Sequence, residues 1–217
     1  MTRELEWTGG DRVLVFAPHP DDETIGAGEL IQQARGAGAQ VRVVFATDGD
    51  NNPLPQFWLE RRLWIGPDDR RRWGMRRRAE ATAALRILGV ADAVFLGWHD
   101  RSLRGLLSGD PSAVATIGAA IDTFEPTCVV HPAQRDRHPD HSALAAMVEL
   151  AMRRSGSTAG RLAYVVHGPR SPQPGWHVRP DPARYERKVR ALLCHETQLS
   201  LSRRRMMRWI ASPETFD

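Results

Sequence analysis

Two short stretches of the sequence combine histidine with carboxylates, the side chains that bind metal ions and move protons. The first, "HPDDE", contains His19, Asp21 and Asp22. The second, "HPDH", contains His138 and His141 and lies far along the chain. Two imidazoles and one carboxylate suit a catalytic Zn²⁺ with an open position for water, and the same donors suit non-haem Fe(II). A metal site therefore explains the composition of both stretches better than any other function.

The residue types and spacing favour different roles for the two adjacent aspartates. His19 and Asp22 lie three apart on a predicted strand-to-helix turn, and His141 can supply a third metal ligand. Asp21 can then point the other way and take a proton from water on the metal, which lowers the pKa of that water toward ~7. His138 is placed to stabilise an oxyanion or to protonate a leaving amine. One of Asp21, Asp22 or Asp140 could instead only cap a helix.

The two stretches are positioned by a pattern of alternating strands and helices. Apolar or β-branched runs predict strands at 11–17, 40–47, 91–97, 126–132 and 161–168. Helical periodicity predicts helices at 23–38, 75–89, 112–124, 140–154 and 182–199. This alternation implies βαβ units, so we predict an α/β fold, a Rossmann-like and mainly parallel sheet with helices on both faces. Ligands of such sheets bind outside the carboxyl ends of the strands, where both stretches lie.

The chain length favours one domain. Its 217 residues are enough for one sizeable core, so we predict a single domain over 1–217. The long segment 48–74 shows no clear periodicity but holds Trp58, Trp64 and Trp73. An irregular segment of this length inside a compact domain is usually functional or disordered, and the tryptophans favour a lid or pocket wall.

Composition limits the classes of protein to consider. With 41% hydrophobic and 26% charged residues, the sequence is typical of a soluble globular protein. No apolar run approaches the ~20 residues of a membrane span, and the N-terminus shows no signal peptide. The two cysteines, Cys128 and Cys194, form no disulfide framework. These features predict a cytoplasmic protein without a membrane span.

The chain is mildly basic, with a net charge of +4 and a pI near 9.8. Much of the excess charge lies in arginine clusters at 61–78 and 203–208. Either cluster could attract nucleic acid or another anion. We interpret both as solvated basic surfaces, because a nucleic-acid-binding protein would leave the two His/Asp stretches unexplained.

Together, "APHPDDE" and "HPDH" resemble the LmbE/PIG-L family of metal-dependent N-deacetylases. The resemblance extends to "RRRAEATAALRILGVADAVFLGWHD" at 76–100, "VVFATDGD" at 43–50 and "KVRALLCHETQ" at 188–198. The part of the chain that carries these motifs is about 11–198. By this resemblance, the general base is Asp21 and the histidine that stabilises the oxyanion is His138. The implied metal ligands are His19, Asp22 and His141. These are the roles that the residue types and spacing also suggest.

The resemblance also implies residues that recognise the substrate. Arg77 matches a substrate-contacting arginine, and Asp100 matches an acid near the sugar site, so both are expected to contact a sugar rather than the metal. Asp136 stands where certain sugar deacetylases carry a tyrosine. Any oxyanion stabilisation by that tyrosine is therefore missing here or comes from elsewhere.

The leading hypothesis from the sequence is a Zn²⁺-dependent hydrolase, with Fe²⁺ as the alternative metal. It would remove the acetyl group from an N-acetylglucosaminyl or related N-acetyl amino sugar unit of a small conjugate, giving a free amine and acetate. A related amidase that cleaves a bulkier acyl amide is the alternative, and a basic nucleic-acid-binding protein is a remote one. The expected partner is a small molecule; the aglycone and the oligomeric state do not follow from the sequence.

Overall fold

In a computed structural model of the chain, residues 2–61, 64–210 and 213–217 are described. The elements, in chain order, are β1 (Arg3–Glu4), β2 (Arg12–Ala17), α1 (Asp22–Gly36), β3 (Gln40–Thr47), α2 (Pro53–Glu60), α3 (Pro67–Leu88), β4 (Asp92–Trp98), α4 (Leu103–Gly109), α5 (Pro111–Phe124), β5 (Cys128–Pro132), α6 (Pro139–Ser155), β6 (Gly160–Tyr164), β7 (Trp176–His177), α7 (Pro182–Leu192), α8 (Glu196–Trp209) and β8 (Thr215–Phe216).

Five parallel strands form the central sheet, in the order β4-β3-β2-β5-β6. Successive side chains of a strand point to opposite faces, so Val13 and Val15 of β2 enter one core while Leu14 and Phe16 enter the other. Helices α1, α3 and α7 cover the first core, and α5 and α6 cover the second. Burial on both faces explains the nearly continuous apolar strands. The predicted α/β fold is confirmed.

The sheet has a topological switch point between β2 and β5. From β2 the chain adds β3 and β4 on one side, and β5 and β6 extend the sheet on the other side. The reversal opens a crevice outside the carboxyl ends of these two strands, which is where ligands bind in open α/β sheets. "HPDDE" follows β2 and "HPDH" follows β5, so the topology brings the two stretches side by side.

The described part of segment 48–74 is mostly helical, so the expectation of an irregular segment was wrong. It contains α2 and the beginning of α3. Pro53 and Pro67 stand at the starts of these helices. Proline is favoured there because its fixed φ suits the first helical position and its missing N–H is not needed. Residues 62–63, which belong to the first arginine cluster, lie outside the described residues.

The predicted helix 182–199 is two helices, α7 and α8, and the sequence has no glycine or proline to mark the break. The chain turns tightly at 193–195, where His195 N–H donates to the Leu192 carbonyl at 3.1 Å. This turn places the His195 side chain in the interior, fully buried.

Helix α4 and the small sheet β1-β7-β8 were also not predicted. Among the described residues, no helix combines the length and apolar composition that a bilayer crossing needs.

Gly26 of α1 is a point where the fold tolerates no side chain. A Cβ at this position would lie 2.3 Å from the ring of Tyr164. Tyr164 is 1% exposed, and its hydroxyl donates to the Phe16 carbonyl at 2.9 Å, so the ring cannot move aside cheaply. We expect Gly26→Ala to lower the free energy of unfolding by about 1–3 kcal/mol, as overpacking does. Urea unfolding would measure the change.

The matched control for this change is Gly36→Ala at the other end of α1, where a Cβ meets no atom within 4 Å. We expect it to leave stability unchanged or slightly raised, because alanine restricts the unfolded chain. Equal stability of the Gly26→Ala and Gly36→Ala proteins would show that α1 can shift away from Tyr164.

Candidate active site

The three predicted metal ligands lie together at the switch point. Asp22 Oδ2 is 3.0 Å from His19 Nδ1 and 3.1 Å from His141 Nε2. His19 lies in the turn after β2, Asp22 begins α1, and His141 lies in the first turn of α6. All three side chains are buried. Two imidazoles and a carboxylate from the two stretches therefore face one another.

This donor set fits a divalent metal ion. Both ring nitrogens of His141 are buried and have no hydrogen-bond partner among the described residues, although carboxylates lie beside them. Ligand atoms lie within 4.8 Å of one another in the group His19, His138 and His141 and in the group Asp22, His141 and His167, so the three predicted ligands are divided between two overlapping groups. Burial alone would lower the pKa of His141, but Asp22 and Asp136 raise it to about 9. The position thus favours positive charge, which a proton or a metal ion can supply.

Asp136 supports His141 from behind. Its Oδ2 lies 3.2 Å from His141 Nδ1 and accepts the backbone N–H groups of Val166 and His167 at 2.8 and 3.0 Å. A carboxylate in this position fixes the orientation of a metal-binding imidazole. Asp136 stands where certain sugar deacetylases carry a tyrosine. In this chain it therefore orients His141, one of the predicted metal ligands.

Asp21 has a backbone conformation that L-residues rarely adopt, with φ 138° and ψ −27°. Such a conformation costs of the order of 1–3 kcal/mol and is concentrated at functional sites. It directs adjacent carboxylates apart: Asp22 faces the histidines, whereas Asp21 Oδ1 lies 3.3 Å from Arg77 Nη2. Asp21 makes no side-chain capping bond to α1, so the capping alternative does not apply to it. Burial raises the pKa of Asp21 to about 7, and the charge of Arg77 opposes that rise.

Arg77 reaches the site from α3 and is 3% exposed. Its Nη2 donates to the Pro20 carbonyl at 2.7 Å and its Nη1 to the Gly49 carbonyl at 3.1 Å. Gly49 has a φ of +62°, and a Cβ there would lie 2.0 Å from Arg77 Nη1, so the close approach requires glycine. The residue expected to contact the substrate thus also holds the Asp21 turn.

Asp100 lies in the turn after β4, beside a predicted metal ligand. Its Oδ1 is 3.2 Å from His19 Nε2. Burial would raise the pKa of Asp100, but His19 holds it far below the usual range. Asp100 was expected to contact a sugar rather than the metal, but its carboxylate lies directly beside a predicted metal ligand. It also lines the catalytic pocket.

His138 caps α6, and its Nδ1 accepts the N–H of Asp140 at 3.3 Å. Burial, together with His19 and His141, lowers the pKa of His138 to about 4. The ring is therefore neutral near pH 7, and since Nδ1 accepts a hydrogen bond, Nε2 carries the hydrogen. A neutral imidazole with Nε2–H can donate to an oxyanion. The Asp140 carboxylate does not cap α6; it accepts the N–H of Arg101 at 2.6 Å.

These residues surround a pocket of about 160 Å³. Of the predicted site residues, His19, Asp21, Arg77, Asp100 and His138 line it, whereas Asp22 and His141 lie deeper. The rest of the wall consists of Asn51, Asn52, Arg101, His167, Gln198 and Trp209. Asn51 and Asn52 belong to segment 48–74, for which the sequence predicted a lid or pocket wall, and sequence reasoning missed the other four. Among these four, only His167 gave a signal, as a histidine near the end of the predicted strand 161–168. Its ring packs against Trp209 with the centroids 4.9 Å apart.

A larger cavity of about 730 Å³ adjoins this pocket, and Asn51 and Asp100 line both. One wall is apolar, formed by Trp64, Ile65 and Pro67. Trp64 is 79% exposed, so the cavity offers a free indole surface. Cavities of this size are typical of small-molecule sites.

Comparison with known proteins gives a family and a fold. The family model for PIG-L, described as GlcNAc-PI de-N-acetylase, matches residues 14–152. The 1D-myo-inositol 2-acetamido-2-deoxy-alpha-D-glucopyranoside deacetylase of Mycobacterium avium (strain 104) is 35% identical over 146 residues. That alignment covers 60% of this chain and 47% of the relative, so the chain spans about half the length of the curated relatives it matches.

Two solved structures show the same fold at low identity. The N,N'-diacetylchitobiose deacetylase from Pyrococcus horikoshii superposes with a TM-score of 0.71 at 20% identity, covering 95% of this chain and 83% of that one. GalB, the 4-carboxy-2-hydroxymuconate hydratase from Pseudomonas putida KT2440, superposes with a TM-score of 0.67 at 20% identity, covering 92% and 82%. Because a deacetylase and a hydratase share this fold, the activity has to be argued from the residues of the site.

Proposed function

Because this chain belongs to the PIG-L (GlcNAc-PI de-N-acetylase) family, we propose that it is a metal-dependent hydrolase acting on an N-acetylated amino sugar. The substrate is a small conjugate, the products are acetate and a free amine, and the metal is Zn²⁺. The observation that carries the proposal is the contact of Asp22 Oδ2 with both His19 and His141, at 3.0 and 3.1 Å, with Asp21 beside them. The pocket of about 160 Å³ at these ligands favours a short acyl group such as acetyl over a bulkier one.

In the proposed reaction, His19, Asp22 and His141 hold the metal. When bound, a divalent cation lowers the pKa of water and polarises a carbonyl group. Asp21 accepts a proton from the water whose oxygen attacks the acetamide carbon. The Nε2–H of His138 donates to the oxyanion that develops on the carbonyl oxygen. The proton held by Asp21 then passes to the amine nitrogen as the C–N bond breaks, leaving the free amine and acetic acid, which releases its remaining proton to become acetate.

The arginine-rich surface does not favour the nucleic-acid alternative. Within α3, Arg71 pairs with Asp68, and Arg72 pairs with Asp69 at 2.8 Å. Arg76 likewise lies 3.3 Å from Glu80. Acidic neighbours thus balance much of the charge of this cluster, and a nucleic-acid site would need it unpaired.

The direct test is release of acetate from a panel of N-acetylglucosaminyl glycosides by the purified chain, with bound metal quantified on the same sample. We expect acetate release that depends on the metal. If a metal-loaded preparation releases no acetate but cleaves longer acyl amides, the bulkier amidase is the correct assignment.

We propose that the larger cavity of about 730 Å³ holds the group attached to the sugar. Trp64 offers a flat apolar surface there, and stacking on an aromatic ring is worth about 0.5–1.5 kcal/mol. We therefore expect Trp64→Ala to lower kcat/KM for N,N'-diacetylchitobiose by about 3- to 10-fold. The value for N-acetylglucosamine itself should not change.

The control for that change is Trp58→Ala. Trp58 is similarly exposed, at 74%, but it lines neither cavity, so its removal should alter neither substrate. A loss of equal size on the monosaccharide and the disaccharide would mean that Trp64 shapes the catalytic pocket. An unchanged kcat/KM for both would place the attached group elsewhere.

A further inference from the structure

We infer that Glu23 and His195 form a positioning pair that holds Asp21 in its unusual backbone conformation and so directs its carboxylate into the pocket. The inference rests on the proposed function, in which Asp21 is the base. Glu23 and His195 are both fully buried, and neither lines the catalytic pocket. They touch no substrate, and the proposed reaction leaves both of them without a role.

Glu23 is bonded directly to the backbone of Asp21. Its Oε2 accepts the Asp21 N–H at 3.0 Å, and its Oε1 accepts the hydroxyl of Thr24 at 2.6 Å. A hydrogen bond from a backbone N–H to a carboxylate is charge-assisted and about twice as strong as a neutral one. Both oxygens of Glu23 are therefore used, one to hold Asp21 and the other to fix the carboxylate itself.

The peptide unit between Pro20 and Asp21 is held from both sides. Arg77 Nη2 donates to the carbonyl of Pro20 at 2.7 Å, while Glu23 accepts the N–H of Asp21 at 3.0 Å. The orientation of this peptide plane determines the φ of Asp21, which is 138°. Release of either side lets the plane rotate toward a common conformation, and the Asp21 carboxylate then moves with it.

His195 stands behind Glu23. Its Nε2 lies 3.6 Å from Glu23 Oε1, and both ring nitrogens are buried without a hydrogen-bond partner among the described residues. Its backbone is fixed because its carbonyl accepts the N–H of Gln198 at 3.0 Å in the first turn of α8. A buried imidazole whose ring nitrogens make no hydrogen bond is costly and calls for a reason. Because the ring lies against Glu23 Oε1 and both side chains are fully buried, we infer that it limits the movement of the Glu23 carboxylate.

The test is a set of variants measured for metal content, kcat, KM and crystal structure. We expect Glu23→Ala to keep its metal and its KM, while kcat falls about 100-fold, since a displacement near 1 Å of a catalytic group costs that much. The crystal structure of this variant should show Asp21 out of the positive-φ region. Glu23→Gln should restore most of kcat, because its amide oxygen still accepts the Asp21 N–H.

The control is Glu29→Ala, which empties another fully buried carboxylate of α1 away from Asp21. It should lower stability but leave kcat and the Asp21 conformation unchanged. His195→Ala should lower kcat, and adding it to Glu23→Ala should cause no further loss, since residues that act as a unit are not additive.

Two outcomes would overturn the inference: Asp21 keeping its φ in Glu23→Ala, or Glu23→Gln losing as much kcat as Glu23→Ala. If Glu23→Ala does not fold, kcat and the φ of Asp21 are measured instead in His195→Ala and in Glu23→Gln. These two variants then test the pair by the same readouts. The crystal structures also separate this inference from the proposed function. If the wild-type protein releases no acetate, the function is wrong, but the conformation of Asp21 in the variants still tests the pair.

Discussion

Replacing His141 with alanine should remove the bound metal and lower acetate release by about three orders of magnitude or more. A catalytic metal supplies several kcal/mol of transition-state stabilisation, and each 1.36 kcal/mol is about tenfold in rate. His141 is fully buried, and its two ring nitrogens face the carboxylates of Asp22 and Asp136. Alanine leaves no donor in that space. Metal per chain after dialysis, measured by mass spectrometry, gives the first readout, and acetate release gives the second.

The control for this change is His131→Ala. His131 is also buried, but its Nε2 lies 3.4 Å from Glu149 and it lines a separate cavity, so its loss should leave the metal in place. Full metal content in His141→Ala would assign the ion to another set of donors. The group formed by His19, Asp100 and Asp140 is the one to examine next.

Asp21→Asn should keep the metal and the fold but lower the rate of acetate release by about 10²–10⁴-fold, or about 3–5 kcal/mol of barrier. Asparagine has nearly the shape of aspartate and is among the residues that best tolerate positive φ. It keeps an oxygen beside Arg77, whose Nη2 lies 3.3 Å from Asp21 Oδ1, but it cannot take a proton from water. Its comparison is Asp22→Asn, which should lose the metal because Asp22 contacts both histidines.

Measuring bound metal and rate for both aspartate variants separates the roles of these neighbouring residues. Loss of metal in Asp21→Asn would mean that Asp21 is a ligand. A rate near that of the wild type would mean that another group accepts the proton.

The meeting of His19, Asp22 and His141 was predictable because it depends on sheet topology. Two apolar runs each end in a His/Asp stretch, and strands of a parallel sheet present their carboxyl ends at one edge. The distances between these side chains did not follow from the sequence. The positive φ of Asp21 was hidden too, because Arg77, which donates to the preceding Pro20 carbonyl, comes from a distant helix.

Part of the pocket wall could not be predicted, for a physical reason. Arg101, His167 and Trp209 come from loops and a helix end, and the paths of these segments depend on tertiary packing rather than on periodicity. Helix α2 was missed because its prolines suggest irregular structure, although at a first helical position they favour a helix. The break before α8 was missed because no glycine or proline marks it in the sequence.

The residues that line the pocket come from two separate portions of the chain, and this separation affects how such proteins can diversify. The predicted metal ligands all precede residue 142, whereas Gln198 and Trp209 reach the pocket from α8. The Asn52 side-chain amide donates to Gln198 at 2.9 Å, so one hydrogen bond joins the two portions of the wall. Sequence drift, insertion or exchange in the C-terminal portion can therefore reshape the entrance while the ligands stay constant. A lineage can acquire new substrates through this portion without rebuilding the chemistry it inherited.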